Sequence, residues 1–256
     1  MIGAWLAGPL ADATPAIWLL ALLIGGHLLG DFLFQTGRMA AGKRRARTLA
    51  GHALVVTLVQ LCALLPFLSR QVMIVVAGIG AVHAVIDAVK ARRGHGLAVF
   101  LLDQAAHVLV LLGAWALLLR WNPAIATADA GWAGWTAPFV VAVIVAGAFA
   151  FVATGGSAIV SGTLAALSPT LEEREAQPGM KGSGRLIGIL ERTTTVVLIV
   201  LDQWAAIGLL LTAKSIARFE ELKERDFAEY YLVGTLTSLL VAIVVGLLLT
   251  ALIAAA

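Results

Sequence analysis

The stretch HLLGDFLFQTGRMAAGK, residues 27–43, decides the class of the fold. It begins inside an apolar run, sets His27 four residues before Asp31, and ends in a cluster of basic residues. The apolar run it closes spans residues 16–35, and the basic loop beyond it holds Arg38, Lys43, Arg44, Arg45 and Arg47. Reading onward, the same grammar repeats: apolar residues 49–68, a link of Ser69, Arg70 and Gln71, a third run ending near Val89, a second basic loop over 90–96, and a fourth run over 97–119. Each run is close to the ~20 residues needed to cross a bilayer as a helix. None alternates with the two-residue period of a barrel strand, and in hydrocarbon only helices or closed barrels satisfy the backbone.

Composition agrees. Of 256 residues, 61% are hydrophobic and only 13% are charged, with a mean hydropathy of +0.96. That charged fraction is about half of the roughly 25% common in soluble domains. A disordered chain and a soluble globule are excluded, and with Cys62 as the only cysteine so is a disulfide scaffold. The net charge of +3 comes mostly from residues beside apolar runs, which argues against nucleic acid as a partner. The N-terminal residues 1–18 have no positive leader region and do not read as a cleaved signal peptide. The expected fold is an all-α polytopic transmembrane bundle of six to seven spans.

Lysine and arginine counts orient it. The loops after the first and third runs carry five and three such residues; those after the second and fourth carry only Arg70 and Arg120. The positive-inside rule puts the N-terminus outside and loops 36–48 and 90–96 in the cytoplasm. Trp121, Trp132 and Trp135 suit an interface after the fourth run.

We divide the chain into a four-helix module, 1–136, and a C-terminal helical module, 137–256. In the second, residues 137–167 form a long apolar run interrupted by Gly155 and Gly156, expected as one tilted or broken helix. Residues 168–185 read as a loop, 186–213 as one run enclosing Asp202, 214–231 as a mixed-charge helix, and 232–254 as a last span. Glu220–Lys223 and Glu221–Arg225 are expected pairs along the mixed-charge helix. Glu191–Arg218 and Asp202–Lys214 are expected pairs between segments.

The candidate chemistry lies in the first module. His27 and Asp31, His83 and Asp87, and Asp103 and His107 are each four residues apart, so each pair shares a helix face; His52 adds a fourth imidazole. At about 1.5 Å per residue, all seven groups fall within ~5–17 Å of the cytoplasmic face. An aspartate at the bilayer centre costs on the order of 2.5–3.5 kcal/mol, so a cluster needs a compensating partner. A divalent metal, zinc foremost, is the economical one, with His27, His52, His83, His107, Asp31, Asp87 and Asp103 as candidate ligands. A dinuclear site is compatible with that number. A proton or ion path and a purely structural polar cluster are the competing readings. Asp31, Asp87 and Asp103 are the candidate catalytic groups, as ligands or general bases. Gln35, Lys90 and Gln104 are candidate substrate contacts; Lys90 and Arg38 either hold an anionic group or snorkel to the interface. His95, among arginines in a glycine-flanked loop, reads as solvated.

The segments HLLGDFLFQTGRMAAGK, His52, HAVIDAVK and DQAAH resemble the bacterial membrane family catalogued as domain of unknown function 3307, over about residues 20–120. GRLIGILER, AKSIARF and AEYYLVGTLTS are similar to the region that follows in such proteins. The resemblance implies that His27, Asp31, Gln35, His52, His83, Asp87, Lys90, Asp103 and His107 are the motif positions. Taken with the residues, the expectation is a metal-dependent hydrolase acting on a lipid-like ester, amide or phosphoester at the cytoplasmic side. Its partners would be membrane lipid and a lipid-like small molecule, with a homo-oligomer left open. A cation transporter and a non-catalytic assembly or sensor protein are the alternatives.

Overall fold

The computed structural model describes residues 15–94, 96–127, 136–167 and 183–254. The expectations for a leader in 1–14, for His95, for Trp132 and Trp135, and for most of the 168–185 loop lie outside the described residues. The described chain is helical throughout, without a strand, and has six helices long and apolar enough to cross a membrane. It packs as two compact units, the first mainly residues 6–151 and the second mainly 152–251.

The first unit opens with α1, Pro15–Leu33, whose last turn, Leu29–Leu33, is π-helical. A short α2, Gly37–Ala41, is capped by the Thr36 hydroxyl, which accepts from the Met39 N–H. Next is α3, Ala46–Ala63, which ends where Pro66 removes a backbone donor. Helix α4, Arg70–Arg93, is capped by Ser69, and α5 is Leu97–Trp121. A single turn, α6, Ala124–Thr127, follows, and then α7 begins as Thr136–Ala150.

These helices bury their ionisable residues and turn large apolar side chains outward. On α5 the buried residues are Asp103, His107, Leu111, Ala114 and Leu118, while Leu102 and Leu109 are 63% and 68% exposed. A helix bathed in water has the opposite arrangement. Apolar side chains can cover this outer surface only if the solvent is lipid.

Helices α1, α3, α4 and α5 form a ring in which α3 packs on α4, α4 on α5, and α1 on both α3 and α5. Helix α1 is buried on several sides because glycines bring its neighbours close. A Cβ on Gly26 would lie 2.8 Å from the Ala63 Cβ of α3, and one on Gly147 of α7 would lie 2.9 Å from the Gly25 carbonyl oxygen. In lipid, where apolar helices gain nothing by leaving the solvent, such close backbone approach drives association. Two polar side chains fix the register: Gln60 donates to the Leu23 carbonyl at 2.9 Å, and the Trp115 indole to the Ala16 carbonyl at 2.7 Å.

Helix α7 continues through a π-turn, Phe151–Gly155, into Gly156–Leu167, so the long run is one helix with an irregular turn that ends at the first of the two glycines. In the second unit α8, Ser183–Val200, and α9, Trp204–Ala217, are separate helices. The expected single run over 186–213 breaks at Leu201, Asp202 and Gln203. Asp202 takes φ 57° there, a conformation that Asp tolerates, and its carboxylate accepts from the Trp204 indole at 2.7 Å. The mixed-charge segment is not one helix either: α9 stops at Ala217, a 3₁₀ turn covers Glu221–Lys223, and α10 runs Arg225–Ala254.

That break redistributes the ion pairs. Glu220–Lys223 forms at 2.7 Å as expected, but Glu221 binds Arg218, and Arg225 binds Glu229. Glu191 pairs with Lys214 at 2.7 Å instead of Arg218, because α9 folds back along α8. Arg192 is buried and bonds no carboxylate among the described residues; it donates to the Val152 carbonyl exposed by the π-turn and to the hydroxyls of Ser157 and Ser238. Gly156 and Gly188 leave the room its guanidinium occupies.

The glycine contacts yield a testable contrast. Gly147→Ala should destabilise the folded protein by about 1–3 kcal/mol, the usual cost of overpacking. Gly113→Ala, where a Cβ meets nothing within 4 Å, should be neutral or stabilising by up to about 1 kcal/mol. Thermal aggregation midpoints in detergent measure both; equal shifts would contradict the close α1–α7 crossing.

Candidate metal centre

Each member of the cluster reaches its place for a local reason. On α4 and α5 the reason is a link of only three residues between the helices, whose Gly94 and Gly96 take φ 91° and 149°. Those values suit glycine. A link this short makes α4 and α5 antiparallel neighbours. Asp87 and Asp103 then stand equidistant from residue 95, and so do His83 and His107. The mirrored order of the two pairs therefore places like groups at matched levels. On α1 the π-turn holds Asp31, and on α3 His52 lies in the second turn.

All seven expected ligands converge, and each is at most 5% exposed. Four of them form a compact set: Asp31 Oδ1, His52 Nε2, His83 Nε2 and Asp87 Oδ2. Asp31 Oδ1 is 2.9 Å from His52 Nε2 and 3.6 Å from His83 Nε2. The two imidazole nitrogens are 3.2 Å apart, and Asp87 Oδ2 is 3.3 Å from His83 Nε2 and 3.5 Å from His52 Nε2. An ion held tetrahedrally by N and O ligands at 2.0–2.1 Å requires ligand separations of roughly 3.3–3.4 Å. Hydrogen bonding within the four accounts for less: a proton on His52 Nε2 serves Asp31 or His83, and Asp87, whose Oδ2 pairs with Lys43 at 2.7 Å, makes no aligned hydrogen bond to either imidazole among the described residues.

A second group is adjacent. His27 Nε2 lies 3.8 Å from Asp31 Oδ2, and the His27 and His107 rings stack 4.8 Å apart. His27, Asp31 and His107 can bring three ligand atoms together, as can Asp87, Asp103 and His107. His107 Nδ1 donates to the Asp103 carbonyl at 2.9 Å, the bond that usually orients a metal-binding imidazole. The Nδ1 atoms of His52 and His83 have no such partner among the described residues.

The expected substrate contacts have other tasks. Lys90 Nζ is 2.5 Å from Asp103 Oδ2, and the Gln104 amide donates to the same oxygen at 3.1 Å. Both hold Asp103. Gln35 does not continue the face of Asp31, because α1 ends at Leu33; its amide donates at 2.8 Å to the Asp31 carbonyl, which the π-turn leaves available. Arg38 is exposed.

Sequence reasoning placed Lys43 only in a basic loop. Its Nζ lies 2.7 Å from Asp87 Oδ2, with the side chain 10% exposed. Arg44, which donates to the Ala91 carbonyl at the end of α4, anchors that loop and so presents Lys43. The only signal for this in the sequence is an excess of intramembrane aspartate over nearby base. Two lysines thus close the loop end of the cluster. Its opposite end is filled by Leu19, Leu22, Val72, Val76, Leu111 and Leu118, all essentially inaccessible.

No curated protein and no solved structure matches the chain. Residues 19–131 match the sequence model of the family described as protein of unknown function (DUF3307). All seven clustered residues, with Lys43 and Lys90, fall inside that segment. Residues 19–131, the segment that carries the whole cluster, are thus similar to the DUF3307 family.

Proposed function

We propose that the cluster is the centre of a metal-dependent hydrolase, zinc foremost, that acts on a lipid-like substrate at the cytoplasmic side of a bacterial inner membrane. One observation carries the reading: four buried N and O atoms from α1, α3 and α4 stand 2.9–3.6 Å apart in the five separations measured between them, the spacing a four-coordinate ion needs. Sidedness rests on the basic loops 36–48 and 90–96, which adjoin the clustered end of the bundle.

A bound divalent ion supplies a water whose pKa falls to about 7, and polarises the scissile group. The protein's own residues do the rest. His52, His83, Asp31 and Asp87 would hold the ion. Asp87, which also meets Lys43 at 2.7 Å, is placed to accept a proton from water, and Lys43 would hold its carboxylate in position for that task. Water adds across the bond: its oxygen joins the acyl carbon or phosphorus, and its proton ends on the leaving oxygen or nitrogen. Lys43 and Lys90 at the loop end favour a phosphoester among the ester, amide and phosphoester classes, since each offers an ammonium to an anion.

Cation transit draws on the same burial but needs access from both faces. The apolar layer from Leu19 to Leu118 on the other side of the cluster disfavours it.

Metal analysis of protein purified in detergent without chelators should give at least one divalent ion per chain, and His83→Ala should lose it. A native protein without stoichiometric metal would overturn the proposal. If metal is present, release of product from anionic phospholipid vesicles, set against flux of the ion across them, separates hydrolase from transporter. Lys43→Ala should keep its metal while turnover falls on the order of 100-fold, the scale of a displaced acid–base group. Unchanged turnover would remove Lys43 from the site.

A further inference from the structure

The four-atom set leaves part of the cluster unused, and that remainder has its own logic. Asp31 turns its two oxygens to different neighbours. Oδ1 faces His52 and His83, whereas Oδ2 faces His27 at 3.8 Å. His27 Nε2 and His107 Nε2 are both buried without a hydrogen-bond partner among the described residues. For His107 the tautomer is constrained. Only an N–H can donate to the Asp103 carbonyl, so Nδ1 carries the proton and the neutral ring presents a bare lone pair at Nε2. A buried acceptor left unmet costs about 1–3 kcal/mol. The two rings stack, and His27, His107 and Asp31 each offer one ligand atom within 4.8 Å of the other two. A hydrogen bond between them would need a proton on one Nε2, and none forms. A cation satisfies all three at once.

We propose that the centre is dinuclear: a second divalent ion is held by His27 Nε2, His107 Nε2 and Asp31 Oδ2, with Asp31 bridging the two. This rests on the metal reading above and deepens it. The second set is looser than the first. Its 3.8 Å edge exceeds the roughly 3.3–3.4 Å of a tetrahedral shell, though two ligands of one ion at 2.0–2.1 Å can stand up to about 4.2 Å apart. The second ion therefore binds more weakly and leaves first on mild chelation. With three protein ligands it also keeps a position for water, as catalytic sites do.

Charge then selects the substrate class. Three carboxylates and two lysines leave the cluster with one negative charge. One divalent ion makes it singly positive, and two make it triply positive. Buried charge of that size requires anions, and a hydroxide with a phosphate ester supplies them. A neutral ester or amide does not.

Manganese loading of the detergent-purified full chain tests this without reference to turnover. The native protein should bind two Mn²⁺ per chain and show an exchange-coupled electron paramagnetic resonance spectrum. His27→Gln and His107→Gln should each bind one, with an uncoupled six-line spectrum, and the same state should appear in native protein after brief chelation. One ion per native chain would overturn the dinuclear proposal and leave the metal centre intact; none would overturn both. Two ions retained in both variants would remove His27 and His107 from the second set. The stoichiometry of the native chain decides between one and two even if neither variant folds.

Discussion

A carboxylate in hydrocarbon must be neutralised, and Asp31 is the group on which the first unit turns. Among the clustered carboxylates it is the one within 4 Å of imidazoles on both sides, His52 and His83 on one and His27 on the other. The helices that surround it are arranged to bring those imidazoles in. Gly26 and Gly30 let α3 lie against α1, so that His52 reaches Asp31, and the short link between α4 and α5 delivers four more groups in mirrored pairs. The π-turn at Leu29–Leu33 belongs to the same arrangement. Irregular turns of this kind recur at functional sites, and here the carbonyl left open is met by Gln35.

Much of the first unit was legible before any coordinates. The four spans, the shared level of the seven groups and the i,i+4 pairing all follow from helix geometry applied to a single chain. Helix periodicity is local, and in lipid there is little competition from strand or loop. What escaped depends on contacts remote in sequence. Lys43 lies 44 residues from Asp87, and nothing in the loop around it marks one lysine among five basic residues. Gln35, a candidate substrate contact by sequence, instead meets the Asp31 carbonyl, because a π-turn ends the helix at Leu33.

The second unit was less legible for a different reason. Its run over 186–213 is apolar enough to pass for one helix, and the single residue that breaks it, Asp202, is in a left-handed conformation that composition does not reveal. Once the break is placed, the ion pairs follow: α9 turns back, Lys214 meets Glu191, and Arg218 is left to its own turn. Arg192 shows another limit. An arginine in an apolar helix reads as half of a salt bridge, but this one is met by a π-turn carbonyl and two hydroxyls.

The Lys90–Asp103 pair has a bearing on how the protein reaches its bilayer. Helices α4 and α5 are joined by so short a link that they enter hydrocarbon as one hairpin. Left bare, each aspartate would add on the order of 2.5–3.5 kcal/mol to the work of insertion. Lys90 sits on one leg and Asp103 on the other, so the hairpin carries a counter-ion of its own. Asp87 is met by Lys43, from a loop synthesised earlier and already waiting at the surface. The hairpin can therefore insert with Asp87 and Asp103 each met by a lysine, and the polar cluster is completed only after the walls around it are in place.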